Sequence, residues 1–123
     1  QVTFVSFGFK KGLPLDSDFI FDVRFLPNPY YVESLRPLTG NEKEVSDYVM
    51  GFDESKEYLE VIINMMNYVI PNIDKDGRSQ LVVAIGCTGG QHRSVTFANA
   101  LAAYYSNKGI HAQAIHRDAK KDG

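Results

Sequence analysis

Five apolar residues, Leu81-Val82-Val83-Ala84-Ile85, run straight into Gly86-Cys87-Thr88-Gly89-Gly90-Gln91-His92-Arg93-Ser94, and a helical pattern follows at once. A β-branched apolar run that ends at glycine reads as a buried strand, and apolar residues at helical spacing beyond it read as a helix. The segment is therefore a strand, a glycine-rich turn and a helix, the layout of an anion cradle. Glycines let backbone N–H groups turn inward, the helix N-terminus adds partial positive charge, and Arg93 can fork onto two oxygens of a phosphate or carboxylate.

The rest of the chain repeats this alternation. Val2 to Phe7 and Phe19 to Val23 have the composition of strands, and Ile110 to Ile115 reads as the last one. From Arg24 to Gly51 the prolines Pro27, Pro29 and Pro37 and the glycine Gly40 forbid regular structure until a short helix around Glu44 to Met50. A loop this long in a small domain is usually functional. Asp53 or Ser55 can cap a helix whose stripe is Leu59, Ile62, Ile63, Met66 and Ile70, with Pro71 expected to stop it. A third helix is predicted from about Gln91 to Asn107, with Val95, Ala98, Leu101, Ala102 and Tyr105 facing inward and Gly109 ending it. Alternating strands and helices predict an α/β fold: one three-layer domain over residues 1–123, with a small, largely parallel sheet flanked by helices. Its site belongs at the C-terminal edge of the strands.

Composition excludes little but does so cleanly. The 123 residues support one core, and a formal net charge of −2 does not advertise a general nucleic-acid binder. One cysteine cannot form an internal disulfide, and there is no secretory signal and no long apolar stretch, so a cytoplasmic location without a membrane partner is the default. No Cys/His/Glu spacing typical of a zinc site is present. An opening strand without an initiator Met is expected of a domain cut from a longer chain.

By the edge rule four segments converge: Gly8 to Gly12, Asp22-Val23-Arg24 with the Pro-rich loop, the Gly86 turn, and His116-Arg117-Asp118. Lys10, Arg24, Arg93 and Arg117 would surround the cradle, with Asp22 as the nearby carboxylate, and a phosphorylated small molecule fits that chemistry. A sharper alternative is catalytic. Cys87 and Arg93 stand in Cys-x5-Arg spacing with Ser94 next, as in cysteine phosphatases, where a thiolate attacks phosphorus and Asp22 or Asp118 would protonate the leaving group. A lone cysteine at a strand end is more often a small core residue, so anion binding is the favoured reading. His92 reads as a general acid, a phosphate donor or a locally bonded first-turn residue; His111 has no special role; and His116 divides evenly between site and surface. Tyr30 and Tyr31 either anchor the loop to the core or stack on a sugar or base, anchoring being favoured. Lys120 and Lys121 are a solvated end or a basic tail for RNA phosphates.

Taken together, Phe7-Gly8-Phe9-Lys10, Phe21 to Pro29, Arg36-Pro37-Leu38-Thr39-Gly40, Gly86 to Ser94 and His116-Arg117-Asp118 resemble the C-terminal domain of the RapZ family along essentially the whole chain. The resemblance implies a ligand-sensing domain for an amino-sugar phosphate or similar small anion and a fold similar to a sugar-phosphate kinase subdomain. In adapter members it implies a small RNA presented to an endoribonuclease. Carried over, the sugar phosphate meets Asp22, Arg24, Thr88, Gly89, His92 and Arg93, and the cradle reading adds Lys10, Asn28, Tyr30, Gly90, Gln91 and Ser94. Tyr30 stands where enteric adapters have His. RNA contacts would come from Arg93, His116, Arg117, Lys120 and Lys121. Family members carry an N-terminal P-loop domain for ATP or GTP; no Gly-x-x-x-x-Gly-Lys-Ser/Thr occurs here, so no nucleotide cofactor is expected in this domain. A homo-oligomeric full-length protein is the accompanying expectation, and a purely scaffolding domain that holds the P-loop partner is a third alternative.

Overall fold

The computed structural model describes residues 1–120. Its strands are β1 (Val2–Gly8), β2 (Phe19–Asp22), β3 (Leu81–Cys87) and β4 (Ala112–His116), and its helices are α1 (Lys43–Met50), α2 (Asp53–Lys75) and α3 (Arg93–Asn107). The strands form one sheet in the order β2-β3-β1-β4, every pairing parallel. The α/β domain expected from the sequence is what the chain forms.

Topology decides where the helices lie. Both helical crossovers, β2 to β3 through α1 and α2 and β3 to β4 through α3, step in the same direction along the sheet. A right-handed crossover in one direction always lands on one face, so all three helices share it. They bury Val45 and Val49, Ile62, Met66 and Ile70, and Phe97, Ala98 and Leu101 against Val2, Phe4, Leu81, Val83 and Ile85 of the sheet. Tyr105 stacks on Phe4 with ring centroids 6.0 Å apart. The opposite face belongs to the β1–β2 connection, which steps the other way and holds only a single 3-10 turn at Phe9–Lys11. Across that face the register aligns Ile20, Ala84, Val5 and Ile115 in one row, with Ile20 and Ile115 42% and 47% exposed. The described residues thus build two layers, and the expected third has no helix to make it.

Two local expectations fail for physical reasons. Pro71 does not stop α2, which runs on to Lys75. Ile70 is buried and Ile73 packs on the core, so continuing the turn covers apolar surface that a break would expose. Neither Asp53 nor Ser55 caps that helix: Asp53 is its first residue, and Ser55 lies buried with its hydroxyl unpartnered among the described residues. The inward stripe predicted for α3 is buried throughout. No helix among the described residues is long and apolar enough to cross a membrane.

Candidate functional site

The four strand-end segments meet. Gly8 N–H donates to the Asp118 carboxylate at 2.8 Å, Lys10 N–H to the Thr88 carbonyl at 3.3 Å, and Val23 N–H to the Gly86 carbonyl at 2.9 Å. The Gln91 side-chain amide donates to the Asp118 carbonyl at 2.8 Å and accepts from Lys120 N–H at 2.9 Å. These bonds lash the glycine turn to the ends of β1 and β4. Gly8 and Gly90 make the approach possible: a Cβ on Gly8 would lie 2.5 Å from the Gly89 carbonyl carbon, and Gly90, at φ +78°, backs onto Gly8 N at 2.7 Å. A Cβ on Gly89, by contrast, would meet only the side chains of Lys10 and Gln91, at ordinary distances of 3.7 Å and 4.0 Å. The amides of Thr88 to His92 donate to no group among the described residues.

The long loop forms the other wall. Asn28 accepts a hydrogen bond from Tyr30 N–H at 3.1 Å, and Pro29, already fixed in φ, opens a 3-10 turn over Pro29–Tyr31. Further on, Gly40 N–H donates to the Gln91 carbonyl at 2.8 Å, which docks the Arg36 to Gly40 stretch on the start of α3. A side chain at Gly40 would collide with the His92 carbonyl at 2.5 Å. Between the walls lies a cleft of about 870 Å³, and Arg93 sits at its base.

Arg93 is only 3% exposed. One Nη donates to the carbonyls of Arg24 at 2.6 Å and Leu26 at 3.0 Å, which fixes the guanidinium, while its Nε has no partner. Burial draws its pKa below the ordinary value, an effect opposed by Cys87, Asp22 and Tyr31 nearby. Nε is sealed from the cleft, so the second Nη, which makes no hydrogen bond among the described residues, is the donor left to meet an anion there.

Of the sequence candidates, Lys10, Asn28, Tyr30, Thr88, Gly89, Gln91, His92 and Arg93 line the cleft, and so does Cys87 of the catalytic alternative. Asp22 and Arg24 stand together outside that lining. Strand alternation puts Asp22 in register with Gly86, on the face away from the helices. It is locked to Arg24 by contacts of 2.7 to 3.1 Å, and the Arg24 guanidinium lies 3.8 Å from the centre of the Phe9 ring. Gly90 is buried against β1, and Ser94 is buried with its Oγ 3.1 Å from the Cys87 sulfur. Arg117 is spent on Asp118 and on the Gly12 carbonyl. Lys120 lines the cleft, and Lys121 lies outside the described residues. Sequence reasoning missed Lys11, Glu33, Arg36 and Pro37 as lining groups, although Arg36-Pro37 stood in the quoted motif. It also expected Tyr30 and Tyr31 to anchor the loop. Instead they are 53% and 79% exposed at the cleft, where loop backbone already carries the anchoring.

Both aspartates of the catalytic alternative are engaged by arginines. Hydrogen bonds and charge from Arg24 hold the Asp22 carboxyl below the usual range, and Asp118 is likewise lowered, by Arg117 and the Gly8 amide against the opposing effect of its burial. Among the described residues no cluster of His, Cys, Asp and Glu could hold a metal ion.

His92 is buried and His116 half-buried, and burial disfavours the charged form of each. His116 Nδ1 lies 2.7 Å from the Ser6 hydroxyl and Nε2 lies 2.9 Å from Asn99 Oδ1; since that oxygen only accepts, the proton is on Nε2 and Ser6 donates. Burial lowers the pKa of His116; for His92 burial also leads, outweighing the Arg36, Leu38 and Leu35 carbonyls that favour the charged form. Each group binds its proton more readily unfolded than folded, so their stability is complete above about pH 6.5 and is lost as pH falls below it. The melting temperature is expected to drop between roughly pH 7 and 5, and to drop less in His116→Gln. Equal pH dependence in the two proteins would remove His116 from this account.

The family model described as the RapZ C-terminal domain matches residues 1–120. The chain belongs to this family. It is 54% identical over 120 residues to the Nucleotide-binding protein YvcJ of Bacillus subtilis (strain 168), covering 98% of this chain and 40% of the relative. A nucleotide-binding protein of Caldicellulosiruptor saccharolyticus is 54% identical over 121 residues, covering 98% of this chain and 41% of the relative. The RapZ C-terminal domain seen here therefore spans about two fifths of the length of the curated relatives it matches.

Proposed function

We propose that this RapZ C-terminal domain is a ligand-sensing module that binds a phosphorylated amino sugar or similar small anion at the Gly86 to Ser94 turn, and that it acts as an RNA adapter whose RNA contacts share that edge. The observation that carries the reading is Arg93: buried, oriented through one Nη by two carbonyls, and with its other Nη making no hydrogen bond among the described residues, in the lining of a cleft flanked by Lys10, Lys11 and Lys120. A structural arginine of that burial normally has every donor satisfied. In the longer protein, the nucleotide in the relatives' names belongs to an N-terminal P-loop domain, and the whole assembles as a homo-oligomer. Binding is favoured over phosphatase chemistry because Cys87 is 3% exposed and packed in the core, and because Asp22 and Asp118 are paired with Arg24 and Arg117.

Calorimetric titration of the domain with inorganic phosphate and with a hexosamine phosphate tests the anion site. Saturating hexosamine phosphate is expected to displace a small RNA in a mobility-shift assay, with RNA binding that weakens steeply with salt, because the cradle cations serve both. RNA affinity untouched by saturating sugar phosphate would separate the two sites, and absence of any phosphate binding would end the sensing reading.

A further inference from the structure

The cleft offers more than a lone phosphate uses. Its lining includes five cationic side chains, Lys10, Lys11, Arg36, Arg93 and Lys120, against the single carboxylate of Glu33. A phosphate monoester carries only about −1.5 to −2 at neutral pH. At about 870 Å³ the cleft also lies near the top of the range that encloses drug-sized ligands, roughly 300–1,000 Å³. Both mismatches point to a ligand with a second phosphate and a further bulky group.

The shape of that group is written in the mouth of the cleft. Tyr30 and Tyr31 stand with ring centroids 5.7 Å apart and planes at 85°, which makes an aromatic corner. Arg36 braces it from behind: its Nε donates to the Tyr30 carbonyl at 2.8 Å and its guanidinium lies 5.0 Å from the Tyr30 ring centre. Exposed aromatics held in a fixed corner by an arginine beside a cationic cleft form a stacking surface for a planar ring, and bases stack on such surfaces whatever their identity. Buried Arg93 selects the other end. A terminal phosphate can reach down to it, whereas an internal diester of a nucleic-acid strand has chain leaving on both sides.

We propose that the cleft is a site for a nucleoside diphosphate or a derivative of one, with the phosphates over the Gly89 turn and Arg93 and the base in the Tyr30–Tyr31 corner. The proposal rests on the anion site of the preceding section and goes beyond its hexosamine phosphate: the same cleft takes a ligand with a second phosphate and a base. It is a different site from any P-loop.

The test compares inorganic pyrophosphate, UDP, ADP and a short oligoribonucleotide without a terminal phosphate, each titrated calorimetrically into the domain. Both nucleoside diphosphates are expected to bind about tenfold more tightly than pyrophosphate, the size of effect that one stacked base provides. Tyr31 is largely exposed, so Tyr31→Ala should fold normally and bring the ratio of nucleotide to pyrophosphate affinity to about one, while Tyr31→Phe keeps it. Nucleoside diphosphates that bind no better than pyrophosphate, a ratio unmoved by Tyr31→Ala, or an oligoribonucleotide that outcompetes them would each overturn the proposal and leave the anion site standing. Failure of pyrophosphate and inorganic phosphate alike would instead overturn the reading on which it rests.

Discussion

Replacing Arg93 with alanine is expected to weaken binding of inorganic phosphate by roughly 1.5–3 kcal/mol, the range for hydrogen bonds to a charged group, or about one to two orders of magnitude in Kd. The same change removes the bonds to the Arg24 and Leu26 carbonyls, so the long loop loses one of its ties to α3 and the melting temperature falls as well. Arg93→Lys separates the effects, since it keeps a positive charge and gives up the fork that spans loop and cleft. Cys87→Ser is the informative counterpart. Its sulfur lies in the core and faces the Ser94 hydroxyl, so a change to oxygen should leave phosphate affinity within a factor of about two while costing some stability. Turnover of a phosphoester by the wild type, abolished by Cys87→Ser in a protein that still folds, would replace sensing with catalysis.

What could be read from the sequence followed one rule: periodic burial was legible and local pairing was not. The strands and the inward stripes of α2 and α3 were visible because hydrophobic period reports the face that a whole element buries, and many residues vote on it. The glycine turn was visible because Gly89 and Gly90 have no other reason to sit between a strand and a helix. Asp22 and Arg24 both end a strand at the predicted edge; only the register of β2 against β3 reveals that Asp22 faces away from the helices, and the folded structure that the two pair with each other outside the cleft lining. Pro71 misled because a proline costs one hydrogen bond locally, while the burial of Ile70 and packing of Ile73 that outweigh it depend on where α2 lies. The missing third layer was a matter of strand order, which no single segment encodes. The tyrosine pair lay in a loop without periodicity, and its exposure follows from the local turn at Asn28 and Pro29 together with the docking of Gly40 on Gln91, a contact made at a distance in sequence.

The second large effect belongs to Gly90. At φ +78° an L side chain is strained by about 1–2 kcal/mol, and here a Cβ would also press on the backbone of β1, 2.7 Å from Gly8 N and 2.9 Å from the Phe7 carbonyl carbon. Backbone in a parallel sheet cannot retreat without breaking its ladder, so overpacking adds roughly 1–3 kcal/mol. Gly109 supplies the control, because it has nearly the same φ of +81° with nothing within 4 Å of its would-be Cβ. Gly109→Ala therefore reports the conformational cost alone, and Gly90→Ala the conformational cost plus the close approach. Thermal melts are expected to show Gly90→Ala falling by roughly 10 °C or more and Gly109→Ala by about half of that or less. Where Gly90→Ala remains folded, the turn must lift away from β1, carry the Thr88 and Gly89 amides out of line with Arg93, and weaken phosphate binding; Gly109→Ala, at the far end of α3, must not. Equal losses of melting temperature in the two variants would mean that the turn is not packed on β1 as described, and unchanged phosphate affinity in a folded Gly90→Ala would remove the turn's backbone from the binding site.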